Sequence, residues 1–95
     1  MDINNYNYAP TMLNNNNTIK YYNNDDMYAE ITKERSYNKY IFFIYACSYD
    51  GQLEISEQTE KENKAIELYN YIVDNYADTP PNNEILNNDI LTILQ

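Results

Sequence analysis

Carboxylates are the main chemical groups of this chain, which has 15 Asp and Glu residues, six Lys and Arg, one cysteine and no histidine. Histidine is the commonest general base and metal ligand, so its absence argues against most enzymes. Cys47 has no histidine to deprotonate it, which favours packing over nucleophilic chemistry. Asp25 and Asp26 lack the Asp-x-Asp-x-Asp-Gly pattern of a calcium loop. The single glycine, Gly51, excludes a glycine-rich phosphate loop, and we predict no catalytic residue, cofactor or metal.

The negative charge is concentrated in the second half of the sequence. Residues 1–49 contain five acidic and four basic residues, whereas residues 50–95 contain ten acidic residues and two basic ones, Lys61 and Lys64. The formal net charge of the whole chain is -9 at pH 7. Charge of one sign attracts a positively charged partner and repels nucleic acid and anionic membranes. The expected ligand is therefore a basic protein.

The composition predicts one small domain that follows an arm. Residues 1–24 are rich in Asn and Tyr and poor in aliphatic side chains. This predicts a flexible, low-complexity N-terminal arm that is unstructured alone or ordered only by docking. Residues 25–95 then form the single domain. One cysteine, no signal-peptide pattern and no apolar run of about 20 residues together indicate a cytoplasmic protein.

Alternating apolar and polar residues predict a three-stranded antiparallel sheet. Residues 27–34 alternate as a half-buried strand does, and residues 52–57 alternate in the same way. Residues 39–49 are apolar at both odd and even positions, which is typical of a central strand covered on both faces. The polar residues 35–38 turn the chain between the first two strands. Asp50-Gly51 predicts a two-residue type I′ turn between the last two.

A long helix is predicted over about residues 60–77, after the last strand of the sheet. Thr59 and Glu62 have the spacing of a capping box, and apolar residues recur at helical spacing along the segment. The Pro-Pro pair behind it ends the helix. A short C-terminal helix follows, capped by Asn82 or its neighbour, although residues 90–94 also fit an edge strand. The predicted fold class is α+β.

The predicted turn also sets the strand register. It pairs Cys47 with Glu54, so that one face of the sheet lies under the long helix. The other face carries alternate residues of the central strand: Ile41, Phe43, Tyr45, Cys47 and Tyr49. Two interpretations stay open for this aromatic face. Either the arm or the last helix covers it, or it binds a partner protein with Tyr45 and Tyr49 as anchors.

Carboxylates recur along the outer face of the long helix. Glu60, Glu67 and Asp74 are seven residues apart, which places them about 10 Å apart along the axis, and Asp78 follows about 6 Å further on. Such a row can imitate the phosphates of a nucleic-acid strand. Tyr71 lies among these carboxylates. The alternative interpretation is an ordinary solvated helix face.

Three short pieces of the sequence occur in a characteristic order: Tyr49-Asp50-Gly51, Glu54-Ile55-Ser56-Glu57 and the amphipathic helix over 59–77. In this order they resemble the small acidic anti-CRISPR proteins of phages, which inhibit the RNA-guided nuclease of type II CRISPR systems. The acidic run that follows the helix in that family is replaced here by residues 79–83. The resemblance implies that carboxylates standing in for phosphates occlude a basic DNA-binding groove.

We therefore predict a non-enzymatic phage or mobile-element inhibitor with an acidic, DNA-mimicking surface. It would act in the cytoplasm of the infected host cell on a basic, nucleic-acid-binding protein, either a CRISPR effector or another defence nuclease. The predicted contacts are Asp50, Glu54, Glu57, Glu60, Glu67, Asp74 and Asp78 for charge, with Tyr45, Tyr49 and Tyr71 as anchors.

No direct contact with nucleic acid or membrane is expected, and a homodimer stays open. One alternative is an antitoxin or immunity protein that neutralises a basic toxin. The other is a structural or assembly protein that docks through its Tyr/Asn-rich arm.

Overall fold

The computed structural model describes residues 17–95 as a four-stranded antiparallel sheet with two helices. The elements are β1 (Thr18–Asn23), β2 (Met27–Ser36), β3 (Lys39–Ser48), β4 (Glu54–Thr59), α1 (Glu62–Tyr76) and α2 (Asn83–Leu94). The strand order is β1-β2-β3-β4, so each strand pairs with its neighbour in the sequence.

The predicted sheet of three strands with one long helix is wrong, although the α+β class is right. The additional strand, β1, lies within the predicted arm and pairs with β2 from Thr18 opposite Thr32 to Asn23 opposite Tyr28. Asn richness concealed it, because Thr, Ile and Tyr between the asparagines are good strand formers once an edge is available for pairing. The remainder of the predicted arm, residues 1–16, lies outside the described residues.

The hairpin of β2 and β3 is the centre of the sheet. The two strands pair over their whole length, from Met27 opposite Ser48 to Ser36 opposite Lys39. The turn falls within residues 35–38, as predicted, and β2 continues two residues beyond the predicted end. Tyr37 occupies this turn with a positive φ of 59°, a conformation that is strained for a residue with a side chain.

The hairpin of β3 and β4 has the predicted register but a different turn. Cys47 lies opposite Glu54, as expected. Gly51 has a φ of 83°, but Asp50 keeps a negative φ, so the predicted type I′ turn is wrong. The Ser48 N–H donates to the Leu53 carbonyl oxygen at 3.0 Å and closes a loop of four residues instead. The fourth strand therefore begins at Glu54 and not at residue 52.

The long helix is shorter than predicted, and its capping box does not form. Lys61 is the N-cap residue of α1 and supplies no side-chain cap. The Thr59 hydroxyl accepts a hydrogen bond from the Lys61 N–H at 3.1 Å and does not reach Glu62. This bond lies before the helix, so α1 begins at Glu62 and the predicted start at residue 60 is wrong.

The C-terminal segment is a helix, as favoured over the edge strand. Asn82 caps α2, because its Oδ1 accepts from the Glu84 N–H at 3.1 Å and the Ile85 N–H at 3.2 Å. This bonding satisfies two backbone donors that the first turn of a helix leaves unpaired. Leu86 and Ile90 of α2 are buried.

The core lies between one face of the sheet and the helices. α1 packs on the sheet with Ala65, Leu68, Tyr69 and Ile72 buried. The sheet contributes alternate residues of β2 and β3 together with Leu53 and Ile55, and Leu86 and Ile90 of α2 join the same cluster. Because α2 lies on this side, it does not cover the opposite face of the sheet, which is called the open face below.

Candidate functional site

Three turns of the chain meet at one end of the sheet and line a cleft of about 420 Å³. They are the β1–β2 turn, the β3–β4 loop and the connection between α1 and α2. Each turn contributes carboxylates to the cleft. The acidic end, as it is called below, is this group of side chains: Asp25, Asp26, Asp50 and Asp78.

Asn24 joins two of the three turns. Its side-chain Oδ1 accepts from the backbone N–H groups of Asp26 and Met27, both at 2.7 Å. Its Nδ2 donates to the carbonyl oxygen of Ala77 at 3.1 Å, across 53 residues of sequence. The backbone N–H of Tyr49 donates to the Asp26 carbonyl oxygen at 2.9 Å and attaches the third turn. The positions of the carboxylates are thus set by hydrogen bonds between turns.

Asp50 is held by its own loop in the ionised form. Its Oδ1 accepts from the Gln52 N–H at 3.0 Å and from the Ser48 hydroxyl at 2.7 Å. These two hydrogen bonds, the one from Gln52 first, lower the pKa of the Asp50 carboxyl below its ordinary value. Ser48 also accepts from the Leu53 N–H at 2.8 Å, so the same network shapes the loop.

The negative charge of the acidic end is uncompensated. No Lys or Arg of the described residues lines the cleft. α1 ends at this cleft with no basic residue in its last turn, and Ala77 and Asp78 follow it directly. The C-terminal end of a helix carries a partial negative charge, which adds to that of the carboxylates. The cleft is therefore complementary to a cation or a basic surface.

Aromatic and proline side chains form the rest of the cleft wall. Tyr49 is 58% exposed at the rim, and its hydroxyl donates to Asn23 Oδ1. Tyr76, Pro80 and Pro81 line the cleft as well. An exposed tyrosine with a fixed ring beside carboxylates is suited to binding the apolar stem and charged end of Lys or Arg.

The structure brings together only part of the predicted contact set. Asp50, Asp78 and Tyr49 meet at the acidic end. Tyr45 and Glu54 lie on the open face, where the neighbouring Cys47 thiol and partial burial raise the pKa of Tyr45 to about 12. Glu57 lies opposite Ile44 on the helix side of the edge strand β4.

The predicted row of carboxylates along the long helix is interrupted. Glu67 and Asp74 are exposed on α1, but Glu60 precedes the helix and its carboxylate pairs with the Lys39 ammonium at 2.7 Å. Tyr71 is half-buried between α1 and α2, where its hydroxyl donates to Asp89. Burial and this bond raise the pKa of Tyr71 above its ordinary value, so its hydroxyl is already engaged inside the protein.

Sequence reasoning missed Asp25 and Asp26 as members of the charged site. The calcium-loop pattern does not identify them, whereas a polar Asn-Asp-Asp turn before a strand does. Among residues 17–95, no group of three or more His, Cys, Asp or Glu side chains is placed to hold a metal ion. The acidic end therefore differs from a cation cage, in which several carboxylates converge on one point.

Comparison of the chain with protein-family models, with curated proteins and with solved structures finds no match. Neither of the described helices is long and apolar enough to cross a membrane.

Proposed function

We propose that this protein is a non-enzymatic inhibitor that binds a basic, nucleic-acid-binding protein through its acidic end. The observation that carries the proposal is the cleft in which Asp25, Asp26, Asp50 and Asp78 gather from three turns without a basic residue in its lining. Charges of one sign in a cleft reinforce one another and accelerate the approach of a partner of opposite charge.

The proposed mechanism is occlusion. The carboxylates of the acidic end form ion pairs with the Lys and Arg side chains of the partner. These side chains are then no longer free to bind the phosphates of nucleic acid. Tyr49 at the rim adds an apolar anchor beside the charges. Because the interaction is largely electrostatic, we expect fast association and an affinity that falls as salt rises.

The resemblance to anti-CRISPR proteins supports a narrower form of the proposal. In this form the partner is the RNA-guided nuclease of a type II CRISPR system, in the cytoplasm of a phage-infected cell. The inhibitor then competes with target DNA for the basic groove of the nuclease.

A competition assay tests the narrower form. Guide-loaded type II nuclease is incubated with labelled target DNA and increasing amounts of the protein, and DNA binding is measured at two salt concentrations. The test variant neutralises the acidic end with Asp25→Asn, Asp26→Asn, Asp50→Asn and Asp78→Asn. The control removes the same number of charges from exposed positions elsewhere: Glu34→Gln, Glu54→Gln, Glu67→Gln and Asp74→Asn.

We expect the wild type and the control to displace DNA, and the acidic-end variant to need about tenfold more protein or worse. If the control variant loses DNA displacement and the acidic-end variant keeps it, the binding site lies on α1 and the open face instead. If no nuclease is inhibited, affinity capture from a host lysate at low and high salt tests the wider form. Captured proteins that are neither basic nor nucleic-acid-binding would overturn the wider form, whereas a basic toxin would identify the protein as an antitoxin.

A further inference from the structure

The two edges of the sheet differ in how they are protected. The edge strand β1 has a bulge between Thr18 and Lys20, and the Lys20 ammonium lies 5.2 Å from the centroid of the Tyr69 ring. Bulges and lysines are devices by which natural sheets prevent another strand from pairing with an edge. The edge strand β4 pairs with β3 from Glu54 to Thr59 without a shift in register, and it contains no lysine, proline or glycine. β4 is therefore the less protected edge.

The register of β4 shows which of its backbone groups are unpaired. The Ser48 N–H donates to the Leu53 carbonyl oxygen at 3.0 Å, and bonded pairs recur at every second residue of an antiparallel ladder. The backbone groups of Glu54, Ser56 and Gln58 therefore point away from β3. All three residues are exposed, and within residues 17–95 no turn, loop or cap bonds to their backbones. The edge thus offers N–H donors and C=O acceptors at the spacing that another strand requires.

The charge of β4 identifies the kind of strand that fits this edge. Glu54 lies on the open face, and Glu57 lies on the helix side, where it is half-buried. Neither carboxylate forms an ion pair within residues 17–95. A segment that runs antiparallel to β4 would place one residue opposite Glu54 and, three positions earlier, another residue opposite Glu57. Lys or Arg at these two positions would neutralise both carboxylates, and an apolar residue just before the second base would pack beside Ile55.

A second copy of β4 supplies the wrong charge for this edge. The strand contains two glutamates and no base, and the whole chain has a formal net charge of -9 at pH 7. Pairing two such edges would bring the glutamates of both copies together with no cation between them. A charged side chain on the covered side of an edge strand, here Glu57, is also one of the barriers that natural sheets use against edge-to-edge pairing. The occupant that fits is therefore a basic segment of another protein.

We propose that the outer edge of β4 binds an extended, basic segment of a partner protein as an additional antiparallel strand. The segment has the pattern Lys/Arg-x-apolar-Lys/Arg, with its bases opposite Glu57 and Glu54 and its apolar residue opposite Ile55. Backbone hydrogen bonds to the outward groups of β4 provide affinity for an extended chain, and the two glutamates provide the preference for a basic one. This inference goes beyond the proposed function, because it requires neither the carboxylates of the acidic end nor a nuclease.

A peptide titration followed by NMR tests the proposed pattern on the unaltered protein. The probe is the synthetic peptide Thr-Lys-Thr-Val-Lys-Thr with blocked ends. The charge control is the same peptide with glutamate in place of both lysines. Two further peptides are matched to each other and carry one N-methyl group each. In one it is on the threonine before the valine, whose N–H would face Ser56, and in the other it is on the valine, whose N–H would face away from β4.

We expect the basic peptide to shift the amide resonances of Glu54, Ser56 and Gln58 and to slow hydrogen exchange at these amides. The glutamate peptide and the peptide methylated on threonine should bind about tenfold more weakly, whereas methylation of the valine should change the affinity by less than about twofold. Equal affinities within either pair of peptides, or no binding of the basic peptide, would overturn the proposal. Protection of the same amides that rises with protein concentration before any peptide is added would overturn it too, because a second copy would then occupy the edge.

Two variants at one position of the protein test the same hydrogen bond from the other side. Ser56→Pro removes the outward N–H and is compatible with an edge strand, whereas Ser56→Ala keeps that N–H. We expect the proline variant to bind the basic peptide about tenfold more weakly and the alanine variant to bind it as the wild type does. Equal binding by both variants would overturn the proposal. Circular dichroism checks that each variant is folded, and the two methylated peptides decide the matter if the proline variant is not.

The acidic-end variant described above separates this proposal from the proposed function. Its four Asp→Asn changes should alter the affinity for the basic peptide by less than about threefold, because they leave the edge of β4 intact. Loss of peptide binding in that variant, or resonance shifts confined to the acidic end in the wild type, would overturn the proposal. Either result would mean that the peptide binds in the cleft as a cation and not on β4 as a strand.

Discussion

The two ends of the central hairpin are built on opposite principles. β2 and β3 have ten residues each, so about 33 Å of strand separates the acidic end from the β2–β3 turn. At the acidic end, Asn24 and the backbone of Tyr49 bond three turns to one another. At the other end, Tyr37 is 92% exposed in the two-residue turn that joins β2 to β3.

The charges of the two ends differ in the same way. The cations of the basic tip, which is formed by Lys33, Arg35 and Lys39, each have a partner close by. The Lys33 ammonium lies 4.7 Å and the Arg35 guanidinium 5.8 Å from the centroid of the Tyr40 ring, and Lys39 pairs with Glu60. The acidic end has no such partners in its lining. Its unbalanced charge is therefore a property of the assembled turns and is available to a partner.

The largest effect is expected from Asn24→Ala, which removes the bonds that hold the acidic end together. The change deletes acceptors for the Asp26 and Met27 N–H groups and the donor to Ala77. We expect a loss of about 2 kcal/mol in the free energy of unfolding, measured by urea denaturation. The control at the other end, Asn38→Ala, should change it by less than about 0.5 kcal/mol. Equal effects of the two changes would remove the contrast between the ends.

Gly51→Ala should have the next largest effect on the free energy of unfolding. Gly51 has a φ of 83°, and a Cβ there would meet no atom within 4 Å, so the effect is purely one of backbone conformation. We expect a loss of about 1 kcal/mol in the free energy of unfolding. No measurable change would mean that the β3–β4 loop relaxes to a different turn in solution.

Tyr37→Gly should stabilise the protein, in contrast to the two substitutions above. Tyr37 has a positive φ of 59° and an exposed side chain, so glycine relieves strain and removes little packing. After the greater backbone entropy of glycine is subtracted, we expect a gain of about 0.5 kcal/mol in the free energy of unfolding. Tyr37→Val is the control and should destabilise, because a β-branched side chain disfavours positive φ. Destabilisation by glycine would show instead that the tyrosine ring has a packing role.

The smallest effect is expected on the stability of the fold at acid pH, to which the Asp50 carboxyl contributes. Its carboxyl has a lowered pKa in the folded protein because Gln52 and Ser48 donate to it. Its contribution to stability is therefore present above the unfolded pKa of an aspartate and is lost as pH falls through the folded pKa. We expect thermal unfolding of Asp50→Asn to depend less on acid pH than that of the wild type. Asp74→Asn on α1 is the control, and its thermal unfolding should depend on acid pH as that of the wild type does. If the two variants show the same pH dependence, the proposed role of the β3–β4 loop is contradicted.

Local patterns predicted the elements that local physics governs. The apolar spacing of α1 correctly indicated its buried face, and the position of Asp50-Gly51 correctly indicated the register of β3 and β4, although the type of turn was wrong. Asn82 was one of the two caps that the sequence predicted, because the acceptor and the two donors lie within three residues. In each case, neighbours along the sequence decide the outcome, and their types are visible without the fold.

The tertiary structure decided the parts that depend on distant residues. Residues Thr18–Asn23 become a strand because the edge of β2 is available to them, which their Asn-rich surroundings do not reveal. Asp25 and Asp26 meet Asp78 because Asn24 bonds to Ala77 across 53 residues. Composition by itself showed that the chain is acidic. The path of the chain through three turns determined where that charge is left uncompensated, since electrostatic fields depend on positions in space.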